Sequence, residues 1–173
     1  MLKQNPNFYH TLHEQIAVSL DEKQVNIKEK ENEIDQLRRK LITDNASGLV
    51  LETCLGTNMN KPYYKENKIT KIIGIDWVTY NIEKAAQKLA SPDEMTILNC
   101  DVHKIPFTDN SFDTVVDTFG LECCYDVEKA YKEIKRVTKK GGKILLLERG
   151  KSLWMTDNFK LLRKAELNLG ARG

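Results

Sequence analysis

Two apolar stretches, each ending in small or acidic residues, constrain the fold of this chain more than any other feature. The first covers residues 49–60 (LVLETCLGTNMN), and the second covers residues 71–76 (KIIGID). Buried parallel strands have this apolar pattern, and small residues after a strand let a ligand approach the backbone. An acid that closes the second strand can accept hydrogen bonds from a ribose diol. The two stretches together predict a doubly wound α/β sheet with a nucleoside-binding edge.

Alternating strand and helix patterns continue along the chain. Apolar residues recur at helical spacing in two further segments, and three more short runs have the composition of strands. The predicted helices are residues 78–90 and 127–137, and a short helical turn is predicted around Pro62. The predicted strands are residues 95–99, 112–118 and 143–148.

Five correctly ordered motifs resemble the class I S-adenosylmethionine (SAM) methyltransferases. Residues 51–57 resemble motif I of that family, usually written E/D-x-G-x-G-x-G, and Asp76 matches the acid after strand two. Asp101 matches the acidic position after strand three. Residues 112–121 and 141–150 match strands four and five. Five motifs in order are a strong fold signal, whereas one glycine loop alone is weak.

Within that family the chain most resembles the ubiquinone/menaquinone C-methyltransferase type, especially the mitochondrial methyltransferase-like proteins. The likeness covers roughly residues 45–155 and includes the connector 101–113, which is similar to D-x-x-x-L-P-F-x-D-x-S-F-D. It implies a Rossmann-like fold with about five parallel strands in the order 3-2-1-4-5, and SAM as the cofactor.

We divide the chain into an N-terminal helical segment (1–47), a methyltransferase-like domain (48–150) and a C-terminal helical tail (151–173). The tail predicts one helix over residues 154–169. Complete relatives add a hairpin beside strand five, and we expect this chain to lack it. The predicted strand from Lys143 to Glu148 would then lie at a sheet edge and need cover from the tail or another protein.

The N-terminal segment has a narrow apolar seam flanked by Glu and Lys, and Asp21 is placed to cap a helix running to about residue 42. Two interpretations stay open: this helix covers one face of its own sheet, or it contacts another protein. The seam consists of Ile16, Leu20, Ile27, Ile34, Leu37 and Leu41.

The motif I loop departs from the family pattern at two of its three glycine positions. Cys54 and Asn58 replace glycine, while Gly56 is kept. Cysteine is small, and asparagine tolerates a positive φ better than most residues. We therefore expect weakened SAM binding, with an inherited loop around an empty pocket as the alternative. Glu52 is predicted to order the loop or to meet the methionine amino group.

Five further residues complete the cofactor-binding set that the resemblance implies. Asp76 would bind the ribose hydroxyls, and Trp77 would lie along the adenine or pack in the core. Asp101 would accept from the adenine amino group beside Val102, or would cap its own turn. Thr118, at the end of strand four, faces the same edge of the sheet.

No catalytic residue is assigned. An N/D-P-P-Y motif, which positions amino groups in nucleic-acid and protein N-methyltransferases, does not occur. His103 is a candidate base, but we expect it to be an exposed, incidental loop residue. Arg149 stands where relatives have histidine, and a guanidinium cannot accept a proton. Other candidates lie near the end of strand four: Asp117, Thr118, Glu122, Cys123, Cys124 and Tyr125.

Composition excludes several classes of function. The 27 basic and 25 acidic residues give a net charge of +2, with no basic stripe for nucleic acid. No long apolar run predicts a membrane span, and the first residues lack a signal-peptide core. The four cysteines have no metal-ligand spacing, so we expect no metal and a reducing intracellular compartment. The resemblance makes that compartment the mitochondrion.

Two functions fit the sequence. We expect a degenerate methyltransferase-like protein that serves as a structural or accessory subunit of a larger, mitochondrial assembly, with partner chains at the predicted strand 143–148 and the N-terminal helix. The alternative is an active SAM-dependent methyltransferase on a small or lipid-like acceptor, such as a quinone precursor.

Overall fold

The computed structural model describes residues 6–22, 28–150 and 160–162. The helices in these parts are α1 (Pro6–Glu22), α2 (Lys28–Asn45), α3 (Thr79–Gln87) and α4 (Val127–Val137). The strands are β1 (Gly48–Thr53), β2 (Ile69–Asp76), β3 (Thr96–Asn99), β4 (Phe112–Thr118), β5 (Thr138–Gly150) and β6 (Lys160–Leu162). Short 3-10 turns occur at Lys61–Tyr63, Pro92–Glu94, Val102–Lys104 and Leu121–Cys123.

One sheet with the order β3-β2-β1-β4-β5-β6 forms the centre of the protein. Strands β1 to β5 are parallel, which confirms the predicted order 3-2-1-4-5. Glu52 on β1 lies between Gly74 of β2 and Val116 of β4, and Asp76 pairs with Asn99 of β3. The carboxyl ends of four strands therefore meet at one edge of the sheet.

The central strands are buried on both faces, as the unbroken apolar runs predict. Successive side chains of a strand point to opposite faces. In β4, Val115 packs with Ile134 of α4, whereas Val116 packs with Ile42 of α2 on the other side. All four of these side chains have 0% of their surface exposed. The sheet thus lies between two apolar layers, one for each face.

Helix α4 shows how local sequence sets the ends of an element. Asp126 precedes it, and its carboxylate accepts a hydrogen bond from the backbone N–H of Lys129 at 2.9 Å. Ala130, Ile134 and Val137 lie on one helical face and are fully buried. This helix was predicted with the observed bounds.

The N-terminal prediction is partly wrong. Asp21 lies in the last turn of α1 and does not precede a helix, because the segment forms two helices, α1 and α2. Leu41 and Ile42 of α2 are buried against the sheet, as the first interpretation expects. Residues 1–5 and 23–27, and with them Ile27 of the predicted seam, lie outside the described residues.

The C-terminal prediction is also wrong where it can be examined. Residues 160–162, inside the predicted helix, form β6 and pair antiparallel with Glu148–Gly150. Backbone pairing with the open edge of β5 outweighs the helical pattern, since edge N–H and C=O groups need partners. Residues 151–159 and 163–173 lie outside the described parts. None of the described helices is long and apolar enough to cross a bilayer.

Strand β5 begins five residues before the predicted start at Lys143. Thr138 pairs with Phe112, and the ladder resumes after an irregularity with Thr114 opposite Lys143. Gly141, at φ +79°, turns the intervening backbone. Gly141 and Gly142 therefore lie within β5, at the irregular part of its ladder with β4.

Candidate functional site

A cavity of about 430 Å³ lies at the carboxyl edge of the sheet. This volume is within the range of small-molecule sites. The walls come from the loop after β1, the ends of β2, β3 and β4, and helix α1. Seven of the predicted cofactor-binding residues line it: Cys54, Gly56, Asp76, Trp77, Asp101, Val102 and Thr118.

The loop after β1 has left-handed backbone at each motif I glycine position. The φ angles are +49° at Cys54, +56° at Gly56 and +62° at Asn58. Side chains with a Cβ are strained in this region, which explains why the family pattern has glycine there. The glycine-type path is therefore retained despite two substitutions.

Glu52 stabilises this loop through hydrogen bonds and does not line the cavity. Asn60 donates from Nδ2 to Oε1 of Glu52 at 2.9 Å, and the Tyr64 hydroxyl donates to Oε2 at 2.6 Å. Burial raises the pKa of Glu52 to about 7, although both hydrogen bonds oppose the rise. Of its two predicted roles, the contacts match ordering of the loop.

Asn58 also lies away from the cavity. Its side chain is 2% exposed, and neither atom of its amide has a hydrogen-bond partner among the described residues. Buried amides usually find a partner, so this position is energetically costly. This unfavourable energy arises at a loop position where the family pattern has glycine.

Asp76 holds the loop and the start of α3 together. Its Oδ2 accepts from the Gly56 N–H at 2.8 Å and from Asn81 Nδ2 at 3.3 Å, and its Oδ1 accepts from the Val78 N–H at 2.8 Å. Burial raises the pKa of Asp76, and these donors partly offset the rise. A carboxylate has about four acceptor positions, so about one remains for a ligand.

Trp77 joins the cavity to α1. Its indole N–H donates to His13 at 3.2 Å, and its carbonyl accepts from His10 at 2.9 Å. Glu14 accepts from the backbone N–H groups of Thr79 at 2.6 Å and Tyr80 at 3.3 Å, at the start of α3. The carboxylate is favourable at a helix N-terminus. Polar contacts thus seat α1 beside the cavity.

Asp101 forms a compact group with His103 and Tyr125. Its Oδ1 accepts from the backbone N–H and Nδ1 of His103, and its Oδ2 accepts from the Tyr125 hydroxyl at 3.2 Å. The two rings stack with centroids 3.7 Å apart. Asp101 therefore caps its own turn, which was one of the two predicted roles.

His103 is buried, with 3% of its surface exposed, so the expectation of an exposed loop histidine is wrong. Burial lowers its pKa, but hydrogen bonds with Asp101 and Cys124 raise it more, to about 9. Burial raises the pKa of Asp101, and the bonds from His103 and Tyr125 reverse this to a lowered value. The pair is thus imidazolium and carboxylate at neutral pH.

A second acidic group supports the segment after β4. Asp117 accepts from the Thr53 hydroxyl at 2.6 Å and from the N–H groups of Gly120 and Leu121. Burial and the hydrogen bond with Asp117 raise the pKa of Glu148 to about 9. The shift favours the protonated form of Glu148, whose carboxyl group also accepts from the backbone N–H groups of Leu121 and Glu122 at 3.3 Å.

Sequence reasoning missed the contribution of α1, whose His13 and Ala17 line the cavity. A polar helix far from the motifs gives no signal for this position. It also missed Phe119, a non-glycine residue at φ +62°, and Asn81. The side chain of Arg149 lies outside the described residues. In the described parts, no group of three or more His, Cys, Asp or Glu residues is placed to hold a metal.

Comparisons with known proteins agree with this geometry. A family described as a methyltransferase domain matches residues 51–146. The demethylmenaquinone methyltransferase of Staphylococcus aureus is 35% identical over 103 residues. That match covers 57% of this chain and 42% of the relative, so the chain spans less than half of that protein's length.

Two solved structures share the fold at low identity. A SAM-dependent methyltransferase from Aquifex aeolicus is 21% identical, with a TM-score of 0.59, and the match covers 73% of this chain and 68% of that chain. The cyclase SpnF is 20% identical, with a TM-score of 0.63, and the match covers 78% of this chain and 51% of the cyclase chain.

Proposed function

Because the chain belongs to the methyltransferase domain family, we propose that its cavity binds SAM and serves methyl transfer to a small acceptor of the quinone-precursor type. The main support is that seven predicted residues, distant in sequence, surround one cavity. The S. aureus relative named for demethylmenaquinone supports the acceptor class.

The residues present fit the cofactor in most respects. The left-handed loop leaves its backbone open to a ligand at Gly56, where the nearest described atom to an added Cβ would be the Cys54 carbonyl oxygen, 4.0 Å away. Asp76 would accept a ribose hydroxyl, with room for about one strong hydrogen bond. Trp77 would contact the adenine. When bound, SAM would supply the methyl group of its sulfonium to the acceptor by in-line displacement, with its thioether as the leaving group.

Alignment of the acceptor is the main task that remains for this chain. His103 is held protonated by Asp101 and Cys124, so it donates at neutral pH and does not act as a base. Phe119 and Cys123 line the cavity and would offer the acceptor apolar surface. A planar, weakly polar acceptor fits such a wall better than a charged one.

A second candidate is a structural or accessory subunit of a larger, mitochondrial assembly that retains the fold but not the activity. The buried amide of Asn58, which has no hydrogen-bond partner among the described residues, favours it, because this substitution is costly in a loop that needs glycine. Under this proposal the partner chains bind along residues 143–147 of β5, beyond the stretch that pairs with β6, or at the N-terminal helices.

Calorimetry with SAM and its demethylated product separates these candidates. We expect micromolar binding, weakened at least ~10-fold by Trp77→Ala or Asp76→Ala. Asp93→Ala is the matched control, since it removes an exposed carboxylate outside the cavity. Circular dichroism checks that each variant is folded. Absence of binding by the folded chain would refute the first proposal.

Binding alone does not establish transfer, so a second assay follows the methyl group. Radiolabelled SAM is incubated with a short-chain demethylmenaquinone analogue, and labelled product is extracted. We expect label in the quinone fraction, reduced by Trp77→Ala and unchanged by Asp93→Ala. Binding without transfer would favour the accessory role.

A further inference from the structure

Two cysteines from separate segments meet in the wall of the cavity. Cys54 follows β1, and Cys124 follows the turn after β4. Both side chains lie against Gly120: a Cβ added there would be 2.8 Å from Cys54 Sγ, and Cys124 Sγ donates to the Gly120 carbonyl at 3.6 Å. The Cys54 thiol also hydrogen-bonds to Cys124. The two sulfurs are therefore neighbours.

The surroundings of Cys124 are those of a reactive thiol. The hydrogen bond from Cys54 and, to a smaller extent, the neighbouring His103 imidazolium lower the pKa of Cys124 to about 7, against the effect of burial. Asp101 fixes His103 through Nδ1. Carboxylate, imidazole and sulfur thus follow one another, which is the usual arrangement for activating a thiol.

Cys100 also lines the cavity, but different groups surround its thiol. Burial raises the pKa of Cys100 to about 11, and the charge of Asp101 adds to the rise. Its sulfur lies near backbone carbonyls of Asp101 and Lys104, at 3.5 and 3.7 Å. Cys100 is therefore an internal control for reactivity.

We propose that Cys124 is a peroxide-reactive thiol and that its oxidation ends in a disulfide with Cys54. The Cys124 thiolate attacks one oxygen of a hydroperoxide, the O–O bond breaks, and the protein gains a sulfenic acid. The leaving alkoxide or hydroxide takes a proton from His103. The Cys54 sulfur then attacks the sulfenic sulfur, and the hydroxyl leaves as water with the Cys54 proton. Two thiols lose two electrons, and the peroxide gains them.

This disulfide would cross-link the loop after β1 to the segment after β4. The loop contains Gly56 and contacts Asp76, so oxidation would fix the part of the wall that a cofactor approaches. The effect on cofactor binding rests on the proposed function. Formation of the bond does not, and it is tested without SAM.

Peptide mapping of the oxidised protein tests the bond directly. Cys123 and Cys124 are adjacent and share a proteolytic peptide, so the mapping uses Cys123→Ser. The reduced chain is treated with a small excess of hydrogen peroxide, remaining thiols are alkylated, and a non-reducing digest is analysed by mass spectrometry. We expect a Cys54–Cys124 cross-linked peptide that has lost two hydrogen atoms and separates on reduction.

Two further variants identify the attacking sulfur. In Cys54→Ser we expect a sulfenic acid on Cys124 that dimedone traps, and in Cys124→Ser no intramolecular disulfide. In the unoxidised chain at pH 7, iodoacetamide should modify Cys124 at least ~10-fold faster than Cys100, because the thiolate is the nucleophile. Oxidation first at Cys100, or disulfides only between chains, would overturn the proposal.

Discussion

The buried carboxyl group of Glu52 should make the stability of this protein depend on pH in a way that one substitution isolates. Glu52 is 1% exposed, and its pKa is raised from 4.5 to about 7. Because the pKa is higher in the folded state, the contribution of Glu52 to the free energy of unfolding is fully present below pH 4.5. That contribution is lost as the pH rises through 7. Glutamine stays neutral at every pH, so the Glu52→Gln variant should not lose this stability as the pH rises.

The magnitude follows from the shift. Each unit of pKa difference corresponds to about 1.4 kcal/mol, so the advantage of Glu52→Gln over wild type should grow by about 2 to 3 kcal/mol between pH 5 and pH 8. Urea denaturation at several pH values measures this difference. Titrations of other groups cancel in the comparison, except those in contact with Glu52.

Two controls sharpen the experiment. Glu66→Gln removes an exposed carboxyl group and should change stability by less than ~0.5 kcal/mol at each pH. Tyr64→Phe removes the 2.6 Å hydrogen bond that favours the ionised form, so the Glu52 titration should move to higher pH. A difference between Glu52→Gln and wild type that is flat from pH 5 to 8, or that shrinks, would refute the reasoning.

Further variants test the loop, the histidine and the core. Gly56→Ala should lose ~1 kcal/mol in urea denaturation, because its φ of +56° strains any Cβ placed there. Asn58→Gly should gain ~1 kcal/mol, because it removes a buried amide that has no hydrogen-bond partner in the described parts of the chain. Opposite signs for both would contradict this account. Asp101→Asn should lower the pKa of His103 from about 9 by more than ~1 unit in an NMR titration, since the carboxylate raises it. Ile134→Ala, at a fully buried site, should cost ~2–5 kcal/mol by the same denaturation assay, and a loss under ~1 kcal/mol would argue against the packing described.

The sheet was predictable from sequence because its strands follow a simple physical rule. A strand that is buried on both faces needs a continuous apolar run. Val115 and Val116 are adjacent in β4 and belong to the two opposite apolar layers, so both must be apolar. Sites at the strand ends follow from topology, since parallel strands deliver their carboxyl ends to one edge. Asp76 was found in this way, whereas Asp101 was found through the resemblance to the methyltransferase family.

Features that depend on contacts between distant segments were not predictable. His103 belongs to a polar connector, and its burial comes from Tyr125 and Asp126, more than 20 residues on. The role of α1 depends on His13 meeting Trp77 across 64 residues of chain. The strand β6 was missed because edge pairing, a tertiary effect, decided its conformation.

The loop after β1 also shows how the loss of a sequence motif should be measured. Compared letter by letter, Cys54 and Asn58 count as two lost glycines. Compared by backbone dihedral angle, all three positions still lie in the left-handed region. Natural variants with non-glycine residues there can therefore be ranked by the conformational energy each side chain adds and by whether its polar atoms are solvated. A search that scores backbone shape would retain chains that a search on glycine spacing discards.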